Sequence, residues 1–182
     1  MRRSILFGVM LLAVSLAQGQ RVAEEVTKAT TEFHDSKPNS DDVPDVYAIS
    51  GQFERIVVFR FKFKANLLDG MSRMIKEQGI KNAVILSGVG SVRNYHIHAV
   101  SNRTFPSKNL FSKDPSAPAD IVSMNGYVVN GVVHPHITLA DDEKAFGGHL
   151  EPETEVFTFA AVTLGVFSED VDLTNLDDKT YR

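Results

Sequence analysis

Two short segments hold three imidazoles where a metal ion could use them: His134-Pro135-His136 and, thirteen residues further on, the histidine of Phe146-Gly147-Gly148-His149-Leu150. Residues two apart on a strand point to one face, so His134 and His136 project together and Pro135 points the other way. Pro135 has no N–H to give to a ladder, which predicts a sheet edge or a bulge there. Gly147 and Gly148 permit close backbone approach or unusual dihedrals next to a ligand at His149. Three neutral imidazoles and a water suit Zn²⁺, or another divalent transition metal, with one coordination position open. An ion held in that way lowers the pKa of its bound water. The bland reading is three strand histidines with ordinary hydrogen bonds, because His-x-His pairs are common and the third spacing fits no fixed motif.

A second pair, His96 and His98 in Tyr95-His96-Ile97-His98, also shares a strand face. Its functional reading is a second metal site or an orienting role beside the first; its default is a pair of solvated strand histidines. His34 lies in an acidic stretch and reads as solvated. Asp141, Asp142, Glu143, Glu151, Glu153 and Glu155 are carboxylates that could orient an imidazole or act as a general base. Spacing selects none of them, and Asp141-Asp142-Glu143-Lys144 reads equally well as a polar turn. Arg93 could meet an anionic ligand, with a surface ion pair as the plainer reading. The chain has no Cys, which excludes thiolate catalysis and disulfides and leaves His, Asp and Glu as metal donors. Ser87 and Ser91 lack the Gly-x-Ser-x-Gly elbow of a serine hydrolase. Gly88-Val89-Gly90 lacks the third glycine and the helix of a dinucleotide site.

Positioning these residues calls for a sheet. Val46–Ser50 and Arg55–Lys64 read as strands joined by a glycine-containing turn, with Phe59, Phe61 and Phe63 on one face and Arg60, Lys62 and Lys64 on the other. Asn66 caps a helix from Leu67 to about Gln78, with Asp69 in its first turn. Leu67, Leu68, Met71, Met74 and Ile75 form its apolar stripe and Gly79 ends it. Ala83–Leu86 then closes a strand–helix–strand crossover, followed by Ser87-Gly88-Val89-Gly90-Ser91. Val92–Val100, Ile121–Val129, Val132–Leu139, Ala145–Leu150 and Val156–Phe167 supply further strands, and Asn130-Gly131 marks a hairpin. Residues 102–119, with three prolines, read as a long loop anchored by Leu110 and Phe111. The expected class is α+β: a mostly antiparallel twisted sheet of roughly eight strands with one main helix and a crossover.

At 182 residues, 43% hydrophobic and 23% charged, the chain suits one domain with a packed core. Arg2 and Arg3, the apolar run Ile5–Ala17, and small residues at Ala17 and Gly19 form the pattern of a secretory signal peptide. That run of 13 residues falls short of the ~20 that cross a bilayer. The expected organisation is a signal peptide over 1–19, a polar acidic arm over 20–45, a folded domain over 46–168 and an acidic tail over 169–182. Within the arm, Val22–Phe33 could form a weak helix. The mature protein is expected to be periplasmic or secreted, with no membrane attachment after cleavage. Losing Arg2 and Arg3 moves the net charge from −4 to −6, which opposes binding to a phosphate backbone. Asn102-Arg103-Thr104 is a glycosylation sequon only in a eukaryotic host.

Four segments occur in order: Phe59-Arg60-Phe61-Lys62, Leu86-Ser87-Gly88-Val89-Gly90-Ser91, His134 to Asp141, and Phe146-Gly147-Gly148-His149-Leu150. Together they resemble the "plants and prokaryotes conserved" (PPC) domain over about residues 45–168. In its prokaryotic branch the resemblance implies a homotrimeric α+β fold with a metal on three histidines, here His134, His136 and His149. Plant members are also linked to DNA through a separate Arg-Gly-Arg-Pro segment, which this sequence lacks. Two functions compete. One is a metal-dependent binding or assembly module with a small-molecule ligand at the ion. The other is a metal-assisted hydrolase or lyase using the open position. DNA binding by family analogy is a weaker third, since it calls for a basic face.

Overall fold

The structure, a computed structural model, describes residues 20–27, 44, 46–103 and 107–176. Among these residues the chain forms β1 (Val22–Thr27), β2 (Phe53–Lys62), α1 (Leu67–Glu77), β3 (Ala83–Val92), β4 (Tyr95–Val100), β5 (Lys108–Asp114), β6 (Ala119–Val129), β7 (Val132–Ala140), β8 (Ala145–Leu150) and β9 (Val156–Phe167). Alternation shapes β2, where Phe59 and Phe61 are buried and Arg60 and Lys62 exposed; Phe63 lies past the strand end and is exposed. Asn66 accepts the Asp69 N–H at 3.1 Å and so satisfies one orphan donor at the start of α1. The helix buries Leu67, Met71 and Ile75 completely, each contributing about 1.5–3 kcal/mol by leaving water.

The strands form one sheet in the order β1-β5-β4-β8-β7-β6-β3-β9-β2, every neighbouring pair antiparallel. β2 and β3 both oppose β9, which lies between them, so they run parallel and α1 is their crossover. The helix packs on both β2 and β7, strands with three others between them, so the sheet curls around it. Phe59, Met71, Ile85, Val128, Ile137 and Leu164 belong to the core on that inner face. Asn130 (φ 50°) and Gly131 (φ 80°) make the tight β6–β7 hairpin.

Several expectations change. Val46–Ser50 is not a strand, and its segment packs instead against the end of the chain, with Tyr47 donating its hydroxyl to the Asn175 carbonyl. The described part of the weak helix, Val22–Thr27, is the edge strand β1, because pairing with β5 gives its backbone partners that an isolated helix turn lacks. β5 in turn replaces the middle of the expected long loop. Ser87–Ser91 does not interrupt the sheet: β3 runs on to Val92, with Gly88 leaving room for the Met124 side chain. The tail is partly packed, Val171 and Leu173 being buried. Residues 1–19, most of the arm and residues 177–182 lie outside the described residues, as does Thr104 of the sequon.

Candidate metal centre

The outer face of the sheet, opposite the helix, carries the histidines. In β7, Pro135, Ile137 and Leu139 are buried, while His134 is half-buried and His136 exposed. In β4, Tyr95 and Ile97 are buried and His96 and His98 face outward, half-buried. β8 lies between these strands, and its register opposes His149 to His136 on one side and to His98 on the other. His98, His149 and His136 therefore stand in one row across three strands, with His134 two residues from its end. Strands sit about 4.8 Å apart, so directly opposed side chains of this size must touch.

The rings pack accordingly. His149 stacks on His98 with centroids 4.7 Å apart and planes 25° from parallel. It meets His134 and His136 edge-on at 4.7 and 5.5 Å. The Nε2 atoms of His134 and His136 are 3.4 Å apart. Glu151 completes the cluster: its Oε1 lies 2.5 Å from His98 Nδ1 and 3.1 Å from His149 Nδ1. His98, His149 and Glu151 bring three donor atoms within 4.8 Å of one another, a group able to hold a metal ion. Burial, then repulsion from His134 and His98, pushes the His149 imidazole down to about 4, against the pull of Glu151. At neutral pH it is uncharged and keeps a lone pair for a metal.

The twin glycines make this packing possible. A Cβ on Gly147 would run into the Ile137 carbonyl of β7, and one on Gly148 into the His98 carbonyl of β4. Pro135 sits not at a sheet edge but inside the sheet, opposite Gly126 of β6. Gly126, at φ +133°, has no Cβ to obstruct the His134 carbonyl and the Pro135 Cα. The β7–β8 ladder begins only at His136, so the proline is flush with its end.

The expected pair on β4 divides. His98 joins the cluster, whereas His96 turns its Nδ1 to the Pro152 carbonyl at 3.0 Å. Among the carboxylates, Asp141 accepts the N–H groups of Glu143 and Lys144 and so builds the β7–β8 turn; those hydrogen bonds hold its carboxyl below the usual range. Glu153 pairs with Lys113, and Glu155 with Arg93 at 3.7 Å. Glu151 alone of the six reaches the imidazoles among the described residues. Its spacing, two residues past His149 on an extended chain, was the available signal, but five other acids shared the neighbourhood.

Among the described residues, a single helix wrapped by one antiparallel sheet, with histidines on the outer face, defines a small α+β domain class. The chain belongs to the Plants and Prokaryotes Conserved domain family, abbreviated PCC or PPC, whose model matches residues 48–168. A crystal structure of a metal-containing protein from Archaeoglobus fulgidus is similar at 23% identity and TM-score 0.60, over 69% of this chain and 89% of that one. A plant- and prokaryote-conserved protein of Pyrococcus horikoshii is similar at 25% identity and TM-score 0.56, over 70% and 89%. A hypothetical protein of Salmonella cholerae-suis shares 16% identity and TM-score 0.54, over 66% and 81%. These likenesses are ones of fold. No match was found among curated proteins.

Proposed function

We propose that this chain binds a zinc-like divalent ion through Nε2 of His134, His136 and His149, and that the ion organises a small-ligand site on the outer face of the sheet. One observation carries the reading. Two ligands bound to tetrahedral zinc at ~2.0–2.1 Å lie about 3.3 Å apart, and the Nε2 atoms of His134 and His136 are 3.4 Å apart. The His149 ring meets both edge-on, and a Glu151 carboxylate that accepts its Nδ1–H leaves Nε2 with the free lone pair. Unlike His98, His149 and Glu151, the three imidazoles do not bring their nitrogens within 4.8 Å of one another, so the ion would draw them together by side-chain rotation. The Archaeoglobus fulgidus protein of the same fold is described as metal-containing, which agrees with this reading. The bound ion would supply a Lewis-acidic position open to a ligand or to water.

A binding or assembly role fits better than hydrolysis, because Glu151, the acid nearest the imidazoles, faces His98 and His149 and is not free to serve as a base toward water. A homotrimer is part of the proposal. The outer face continues from His134 through the opposed residues Tyr127, Val84, Gly165 and Ile56 to the far edge of the sheet. On that far half Ile56, Val58, Leu86, Val89, Phe157 and Phe159 are all exposed, apolar surface that copies of the chain would cover. Export is the remaining part: cleavage after Gly19 leaves β1, which begins at Val22, whole.

The test is metal content and mass of residues 20–182, measured by elemental analysis and sedimentation equilibrium. At least one zinc per chain in a trimer is expected, with His134→Ala/His136→Ala losing an equivalent. Wild-type protein that is metal-free and takes up no zinc on titration would refute the metal reading, and a monomer would refute the assembly.

A further inference from the structure

The histidine cluster has two ends, and the ion proposed above uses only one. We propose a second cation position at the other end, formed by His98 Nδ1, Glu151 Oε1 and His149 Nδ1, with His149 shared between the two. It goes beyond the first ion, since His98 and Glu151 come from outside the set of His134, His136 and His149.

Geometry comes first. The separation of Glu151 Oε1 from His149 Nδ1, 3.1 Å, is already close to the spacing of two zinc ligands, about 3.3 Å for bonds of ~2.0–2.1 Å. The shorter approach to His98 Nδ1, 2.5 Å, opens by rotation about the side-chain bonds of Glu151 without moving either strand. Both imidazoles are fixed beforehand. They are directly opposed across β4 and β8, stacked 4.7 Å apart, and His98 is backed by Phe111 of β5 at 4.8 Å. Their Nδ1 atoms address the same oxygen. Because His149 turns Nδ1 to this side, its Nε2 faces away, and one ring can serve both positions.

Charge supplies the second argument. The Glu151 side chain is only 18% exposed, and its ion-pair partners among the described residues are those two imidazoles. Nearby cations are committed elsewhere, Lys113 to Glu153 and Arg93 to Glu155. A secluded carboxylate lacking a lysine or arginine is costly unless a cation meets it, and two imidazoles beside it are the usual company of a bound transition metal. His96 does not compete, since its Nδ1 is held by the Pro152 carbonyl. With both positions filled, the second ion displaces the remaining ring proton of His149 to solvent, so its uptake releases a proton.

Zinc titration of the metal-stripped mature chain tests this, with bound equivalents counted by elemental analysis and released protons by a pH indicator. The wild type is expected to bind two equivalents per chain. His98→Ala should keep the first equivalent and lose the second, its affinity falling at least tenfold, and the shape-conserving Glu151→Gln should lose the second as well, while thermal unfolding shows that both variants fold. Loss of all zinc from His98→Ala, but retention of one equivalent in His134→Ala/His136→Ala, would keep the second position and remove the first. A single equivalent in the wild type that survives in His98→Ala would overturn the proposal, leaving His98 and Glu151 as residues that orient His149. No zinc in any form would remove both positions.

Discussion

Alanine at position 148 would test whether backbone proximity, more than the histidines themselves, assembles the cluster. An ideal Cβ at Gly148 would sit 2.2 Å from the His98 carbonyl oxygen and 3.0 Å from its carbon. Carbon–oxygen contacts settle near ~3.3–3.6 Å, so β4 would have to retreat from β8 by about 1 Å. Little resists that movement, because the β4–β8 ladder consists of Ile97↔Leu150 and His98↔His149. Both pairs matter, the first being buried core and the second the stacked imidazoles. Overpacking of this kind costs about 1–3 kcal/mol. At ~2–4 °C per kcal/mol for a chain of this size, Tm should fall by roughly 2–12 °C. Zinc affinity should weaken by about 10–100-fold, as when a ligand loses the group that orients it. Circular dichroism of the metal-free protein gives the first quantity and a competition titration with a chelating dye the second. Gly79→Ala is the control: φ there is +63°, with nothing within 4 Å of an added Cβ. It should cost about 1–2 kcal/mol through its left-handed backbone and leave zinc binding unchanged. A Gly148→Ala protein with wild-type Tm and wild-type zinc affinity would refute the steric account of the site.

Two further outcomes are expected. In the metal-free protein the His149 pKa is about 4 when folded, against 6.5 as its ordinary value, chiefly through burial. As pH falls the unfolded chain takes up that proton first, so this contribution is complete above pH 6.5 and is lost as pH drops toward 4. After allowance for partial solvent access it amounts to on the order of 1–3 kcal/mol; urea unfolding at neutral and acid pH should show the loss, and His149→Gln should flatten it. Asn66→Ala removes the acceptor of the Asp69 N–H and should cost ~1 kcal/mol in the same assay, with m unchanged because the buried surface is the same.

Much of the inner face was legible because its periodicity is strong. The Phe59/Phe61 alternation, the Asn66 cap with its Leu67–Met71–Ile75 stripe, and the Asn130-Gly131 hairpin all carry local signals. β5 and β1 carry none. No residue of β5 is fully buried, so Lys-Asn-Leu-Phe-Ser-Lys-Asp offers no clean alternation, and β1 is a strand only through its pairing with β5. Val46–Ser50 failed for the opposite reason. Its apolar residues look like a strand face, but Gly51 packs on Val171 at the far end of the chain. His134 and His136 share a face by strand parity, which the sequence states directly. That His98 would stand opposite His149 depends on register between strands some fifty residues apart, and so does the choice of Glu151 among six acids.

The row His98–His149–His136 also bears on the order of events in folding. His98 and Glu151 are 53 residues apart in sequence, and contacts of that separation form late, after the loops between them have closed. An ion offered to the unfolded chain meets only short-range pairs two residues apart: His96 and His98, His134 and His136, His149 and Glu151. The donors of the cluster converge once β4 has docked on β8, beside the hairpin that β7 makes with β6. Metal uptake during refolding would then serve as a chronometer for the closing of the sheet, weak binding by these pairs giving way to tight binding when the last strands arrive.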